Sequence, residues 1–177
     1  MELRGDGIVL RPWRPDDAPA VEAACSDPES SRWLPLLPVP YTRGDAEAYI
    51  RTCLEAGEER RPFAIADAAT DELLGAIDMN VNRWRTGHVG YWVVPQARGR
   101  GVCTRALRLL SEWALTELGL GRVELMTDPG NVASQRVAEK AGFLREAVLR
   151  SVLEYRDGTR ADAIMFSLLP GELDPAH

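Results

Sequence analysis

The chain of 177 residues is 45% hydrophobic and 27% charged, the balance of one globular domain and not of a disordered, collagen-like or coiled-coil chain. A net charge of −6 argues against an extended nucleic-acid face, and three cysteines without C-x-x-C spacing beside two histidines argue against a disulfide framework or a zinc site. No apolar stretch approaches a membrane span and the first residues lack a signal-peptide core, so the expected setting is the reducing cytoplasm.

In chain order, Gly7 to Trp13 reads as a short strand stopped by Pro15, and Asp16 and Asp17 suit the first turn of a helix running to about Ser26. Residues 27–41 carry Pro28, Pro35, Pro38 and Pro40, too many for one regular element. Thr42 with Asp45 three residues on predicts a capping box, followed by Ala46, Tyr49, Ile50, Cys53 and Leu54 at helical spacing. Residues 62–68 and 73–81 alternate as strands around Thr70-Asp71-Glu72, and Gly87 to Val94 forms another strand ended by Pro95. Val102, Ala106, Leu109, Leu110 and Trp113 mark a strong helix with Gly119 beyond its end. A strand over 122–127, a helix capped by Asn131 and ended at Gly142, and two strands flanking Asp157-Gly158 complete the chain.

That order implies one domain over 1–177, with its core at about 7–169. It predicts an α/β (α+β) fold whose mixed, mostly antiparallel sheet has about seven strands, with helices on both faces. The strand–helix–strand unit from 87 to 127 demands one parallel pair with a right-handed crossover.

The informative segment joins that strand to the following helix. Gly99 and Gly101 let the backbone turn sharply, and a loop opening into a helix aims several unpaired N–H groups at one point. Arg98, Arg100, Arg105 and Arg108 crowd around it and are expected to surround it with mobile positive charge, so a small polyanion suits it. A Walker loop is excluded because no Gly-Lys-Ser/Thr occurs, and a dinucleotide fingerprint because position 104 is threonine.

Gln96-x-x-Gly99-x-Gly101 resembles the coenzyme A pyrophosphate loop of the GCN5-related (GNAT) acetyltransferases. Asn131, Ser134, Val137, Lys140 and Gly142-Phe143 resemble the second signature of that family. Leu10-Arg11-Pro12-Trp13, Gly90-Tyr91-Trp92 and the serine at 134 are similar to its RimJ/RimL branch.

The resemblance implies an N-acetyltransferase that passes acetyl from acetyl-CoA, its cosubstrate, to an amine, without a metal. The partner is a small-molecule amine or a protein N-terminus, with no nucleic acid or membrane, and the protein acts as a monomer or homodimer. It implies that the pyrophosphate lies on Gln96, Arg98, Gly99, Arg100, Gly101, Val102 and Cys103. Pantetheine would lie along the splayed strand edge at Trp92, Val93 and Val94 and against Asn131. Ser134 becomes the group beside the departing thiolate, because the tyrosine that many relatives carry four residues on is Ala138 here. His88 is the candidate base, with Asp78, Asn80, Glu124 and Glu154 as rivals. Trp33, Asp78 and Tyr155 could line the acceptor pocket. Ala138 leaves open a second reading, an acyl-CoA-binding sensor without transfer activity.

Overall fold

The computed structural model describes residues 1–173. Its strands are β1 (Leu3–Gly5), β2 (Ile8–Arg11), β3 (Arg60–Asp67), β4 (Leu73–Val81), β5 (Thr86–Val93), β6 (Arg122–Thr127), β7 (Leu144–Glu154) and β8 (Arg160–Leu168). Its helices are α1 (Ala18–Cys25), α2 (Pro28–Trp33), α3 (Arg43–Leu54), α4 (Val102–Thr116) and α5 (Val132–Lys140), with 3-10 turns at Pro15–Asp17 and Pro95–Ala97. The strands form one sheet in the order β1-β2-β3-β4-β5-β6-β8-β7. Only β5 and β6 run parallel, joined through α4.

Alternation along the strands sends Phe63, Ile65, Ile77, Met79, Val89, Leu125 and Phe166 to one face, where α4 and α5 lie. Ala64, Ala76 and Trp92 go to the other, beneath Trp13, Val21, Cys25, Ile50 and Cys53 of the α1 and α3 layer. The amphipathic stripe of α4 is buried as its spacing requires, from Val102 through Ala106 and Leu110 to Trp113. Thr42 caps α3 in a reciprocal box with Asp45. Cys25, Cys53 and Cys103 are buried free thiols.

The sheet has eight strands where about seven were expected, and the extra one is β1. Its hairpin to β2 turns on Asp6 (φ 50°) and Gly7 (φ 76°), the two successive positive φ values of a tight hairpin. Asp-Gly is the sequence signal for that turn, and a strand of only three half-exposed residues gave no alternation to support it. Within the proline-rich stretch α2 also forms, because Asp27 accepts a bond from the Ser30 N–H and Pro28 sits at the first helical position. Asp16 and Asp17 lie in the first turn of the 3-10 entry to α1, as their placement predicted, and Asp17 Oδ2 accepts from the Arg14 N–H at 2.9 Å. Asp17 also turns inward to the buried guanidinium of Arg11, bonding Nη1 and Nη2 at 2.9 and 2.8 Å, while Arg11 Nε bonds Asp71 at 2.9 Å. One side chain thus ties β2, the entry to α1 and the β3–β4 turn.

Arg11 and Asp17 are both almost fully buried, so deleting one leaves the other as an uncompensated charge. Arg11→Met should destabilise the fold by about 3–5 kcal/mol in chemical denaturation. A loss within about 0.5 kcal/mol, the range of an ordinary surface change, would show that the pair is not structural.

Candidate active site

The parallel register of β5 and β6 covers Thr86↔Arg122, Gly87↔Val123 and His88↔Glu124, and then stops. Beyond it β5 continues to Val93 and β6 to Thr127 without pairing, so the two strands open as a V. Hydrogen-bonded and non-bonded pairs alternate along the β4–β5 ladder, and the Val94 N–H bonds the Leu74 carbonyl at 2.9 Å. By the same alternation the N–H and C=O groups of Tyr91 and Val93 point away from β4, into the V. The Val94 N–H, expected to serve a ligand, is already in the ladder. At Gly75 a Cβ would lie 2.2 Å from the Trp92 carbonyl oxygen, so β4 and β5 approach there as only glycine permits.

At the open end of the V the chain turns through Pro95–Ala97 into the glycine loop. Gly99 (φ 72°) and Gly101 (φ 73°) both have left-handed backbone, and no atom lies within 4 Å of a Cβ built on either. Gly101 occupies the N-cap of α4 with no side-chain cap, so the first-turn N–H groups of a 15-residue helix face outward over glycine. This is a cradle for phosphate oxygens.

Two of the surrounding arginines, Arg98 and Arg105, are anchored and are not the mobile fringe expected from the sequence. Arg98 is paired with Asp27 and bonds Ser30 Oγ at 2.9 Å, tying the loop to the start of α2 and holding the Asp27 carboxyl below its usual range. Arg105 reaches the Asp6 carbonyl and the Arg100 carbonyl. Val102 and Cys103 are buried, and burial pushes the Cys103 thiol up to about 12, so it is a packing group and not a nucleophile. Trp92 turns its ring toward Trp13, with centroids 6.4 Å apart, and by the same alternation its backbone N–H and C=O face β4 and not the V.

The opposite wall is the start of α5. Asn131 caps that helix, Oδ1 accepting from the Ser134 N–H at 3.0 Å, so its amide NH2 is the part left to face a ligand. Ser134 sits one turn in, and its Oγ lies 3.0 Å from the Tyr91 hydroxyl. Ala138 is fully buried beneath.

His88, Gly90 and Trp92 share the sheet face that carries α1 and α3. Gly90 leaves open space there. His88 is the last paired residue before the V, half-exposed, with Nδ1 3.7 Å from Glu124 Oε1. Its rivals have other attachments. Asp78 is bonded to Arg60 at 2.6 Å, Glu124 to Arg122 at 2.7 Å, and Glu154 to Arg160 at 2.6 Å. Asn80 lies opposite His88 on β4 and is exposed. Asp78 is also partly covered, its Oδ1 buried without a partner, and it lies opposite Gly90 on the β4–β5 ladder.

Trp33 and Tyr155 come together around the turn after β6. The Tyr155 hydroxyl donates to Asp128 Oδ2 at 2.5 Å, Asp128 Oδ1 accepts from the Gly130 N–H at 2.6 Å, and the Trp33 ring lies 3.4 Å from where a Gly130 Cβ would be. Beside them a cavity of about 490 Å³ is lined by Pro35, Leu36, Glu154, Tyr155 and Arg156. Burial, then the bond to Asp128, push the Tyr155 hydroxyl up to about 12.

Two residues of this region carried no role in the sequence reading. Tyr91 shares the parity of Val89 and Val93, so its strand position alone sends it toward the helix that bears Ser134. Asp128 follows the carboxyl end of a parallel strand, where α/β sheets build ligand sites.

The Acetyltransferase (GNAT) domain model matches residues 8–144. The uncharacterized N-acetyltransferase YoaA of Bacillus subtilis is 28% identical over 171 residues, covering 94% of this chain and 96% of its own. A protein described as a "putative ribosomal-protein-serine acetyltransferase" from Vibrio cholerae superposes with a TM-score of 0.81 at 25% identity, over 96% of this chain and 98% of its own. Mycobacterium smegmatis RimJ, solved with CoA-disulfide, gives 0.81 at 25% identity over 98% of this chain and 88% of its own.

The two kinds of glycine in this region separate by their substitution costs. Gly101→Ala meets no atom and should lose only the left-handed backbone penalty, about 1–2 kcal/mol. Gly75→Ala drives a methyl into the Trp92 carbonyl and should cost more, with the β4–β5 ladder disrupted. Thermal unfolding of the two variants measures the difference, and equal losses would contradict the close approach at Gly75.

Proposed function

Because this chain belongs to the GNAT acetyltransferase family, we propose that it transfers acetyl from acetyl-CoA to a primary amine by direct attack of the amine on the thioester. The observation that carries this reading is the V between β5 and β6. A strand edge with its N–H and C=O groups unpaired can bond an extended amide chain as a neighbouring strand would, and pantetheine is such a chain. The uncapped start of α4 supports the pyrophosphate on the N–H groups of residues 98–103, with both glycines leaving room. Acetyl-CoA fits the residues present.

In this mechanism acetyl-CoA brings the activated acyl group, and the protein supplies position and polarity. A backbone N–H of β5 facing the gap polarises the thioester carbonyl as a preformed oxyanion donor. The neutral amine attacks the carbonyl carbon from the face carrying His88 and Gly90. The C–N bond forms, the C–S bond breaks, and the electron pair leaves on sulfur. His88 takes the amine's proton through water, and Glu124 Oε1, 3.7 Å from Nδ1, favours the imidazolium that results. Ser134 hydrogen-bonds the departing thiolate at the positive end of α5.

The acceptor wall would be Trp33, Tyr155 and Asp128, with Asp78 opposite Gly90 on the attacking face. For the acceptor we propose a protein α-amine or a small cationic amine. The name of the Vibrio cholerae relative supports peptides beginning with serine as the first to test. Thiol release from acetyl-CoA, screened against such peptides, polyamines and amino acids, tests the assignment. No release with any amine would favour the acyl-CoA sensor.

Gly101→Asp should put a carboxylate against the phosphates and weaken acetyl-CoA binding by tenfold or more, about 1.4 kcal/mol, in calorimetry. Gly101→Ala reports the effect of the Cβ and backbone strain without the charge, and parent-like affinity in a folded Gly101→Asp would move the pyrophosphate elsewhere. His88→Gln should lower kcat/KM by roughly 10²–10⁴ with acetyl-CoA affinity unchanged. An unchanged kcat/KM would remove His88 from the mechanism.

A further inference from the structure

Ser134 has an unusual partner for a helical serine. A hydroxyl in the first turn of a helix normally returns to a backbone carbonyl of the preceding turn or meets solvent. Here Oγ faces the phenol of Tyr91 at 3.0 Å, a contact in which either oxygen can donate, and the same phenol reaches the Ser134 carbonyl oxygen as a second acceptor at 3.3 Å. Tyr91 comes from β5 and Ser134 from α5, so their contact joins the two elements that flank the V. Burial raises its hydroxyl above the ordinary tyrosine range, which keeps it a neutral O–H donor across the working pH range.

From this geometry we infer that Tyr91 is a positioning residue for Ser134, donating its single phenolic hydrogen to Ser134 Oγ and so freeing the serine hydrogen to face the sulfur. This rests on the placement of Ser134 beside the thiolate proposed above. Serine has one hydrogen to give and two lone pairs to fill. Of the two acceptors within reach of the phenol Oγ is the nearer, and when the phenol donates to it the serine hydrogen is left for the sulfur; a hydroxyl that accepts a bond donates a stronger one. The sequence Tyr91 O–H to Ser134 Oγ–H to sulfur is thus a chain of donors ending on developing negative charge. No proton leaves Tyr91. The C–S electron pair goes to sulfur, and Tyr91 only fixes the direction of the bond that sulfur receives. Fixing one hydroxyl from behind compensates for the absence of a tyrosine at position 138, where a buried alanine stands.

The probe is coenzyme A itself, which needs no knowledge of the acceptor. Ultraviolet thiolate absorbance of the complex, minus that of the free protein, is followed against pH for the parent and variants. A hydrogen bond to the thiolate lowers the pKa of the bound thiol, so Ser134→Ala should raise it by about one unit, a tenfold loss of thiolate at a given pH. Tyr91→Phe keeps the ring and its packing and removes only the hydroxyl. It should raise the bound-thiol pKa nearly as much, and the double variant should go no further than Ser134→Ala alone. In turnover it should lower kcat while leaving acetyl-CoA affinity intact.

A shift in Ser134→Ala with none in Tyr91→Phe would overturn the role of Tyr91 and leave Ser134 in place. Additive shifts in the double variant would overturn the relay, since the two hydroxyls would then act independently. Absence of any shift in Ser134→Ala would overturn the placement of Ser134 itself.

Discussion

Every feature of the site follows from the point at which β5 ceases to bond β6. Buried backbone N–H and C=O groups must be satisfied, and a sheet does this by pairing each strand on both sides. Here β5 is paired fully with β4 but meets β6 through only three register positions. The strand edge left over is a row of directed donors and acceptors inside the molecule, and a substrate with amide groups of its own is the natural complement. The helices on either side, α4 and α5, begin at the same opening and bring their N-terminal dipoles to it.

Holding the opening apart requires a rigid frame. On the β4 side, the absence of a Cβ at Gly75 lets the end of β5 press against its neighbour. On the other side, β6 is fastened to β8 over five residue pairs, Val123↔Leu168 to Thr127↔Ile164. Below, Trp13 packs between Tyr49 and Trp92, so the α1 and α3 layer grips the strand that carries the site. The Arg11 network fixes that layer to the sheet. The RimJ/RimL-like Leu10-Arg11-Pro12-Trp13 segment is thus a structural clamp, in which Arg11 and, just beyond the end of β2, Trp13 both hold the α1 and α3 layer to the sheet.

Periodic elements were legible in the sequence because burial imposes their period. The α4 stripe, the β4 and β5 alternation and the Thr42 cap all reflect which side of an element faces the core. The parallel β5–β6 pair followed from the length of its crossover. Elements without a period escaped, notably the three-residue β1 and the six-residue α2, although Asp6-Gly7 and Asp27-Pro28 announced their ends. The glycine loop and the Asn131 cap were readable because their chemistry is local. The links Arg98 to Asp27, Tyr155 to Asp128 and Tyr91 to Ser134 were not, since each joins side chains remote in sequence. No local rule fixes which of several arginines or tyrosines meets which partner.

The Arg98 tether has a bearing on how variants of the loop are to be interpreted. Its guanidinium holds Asp27 and Ser30, which open α2, and α2 ends at Trp33 against Gly130. A change at Arg98 therefore alters two boundary conditions at once, the potential at the mouth of α4 and the anchoring of a short helix that reaches the opposite rim. A shift in the Michaelis constant for the acceptor, measured in such a variant, carries no information about acceptor contacts until the tether has been restored by a compensating partner at position 27.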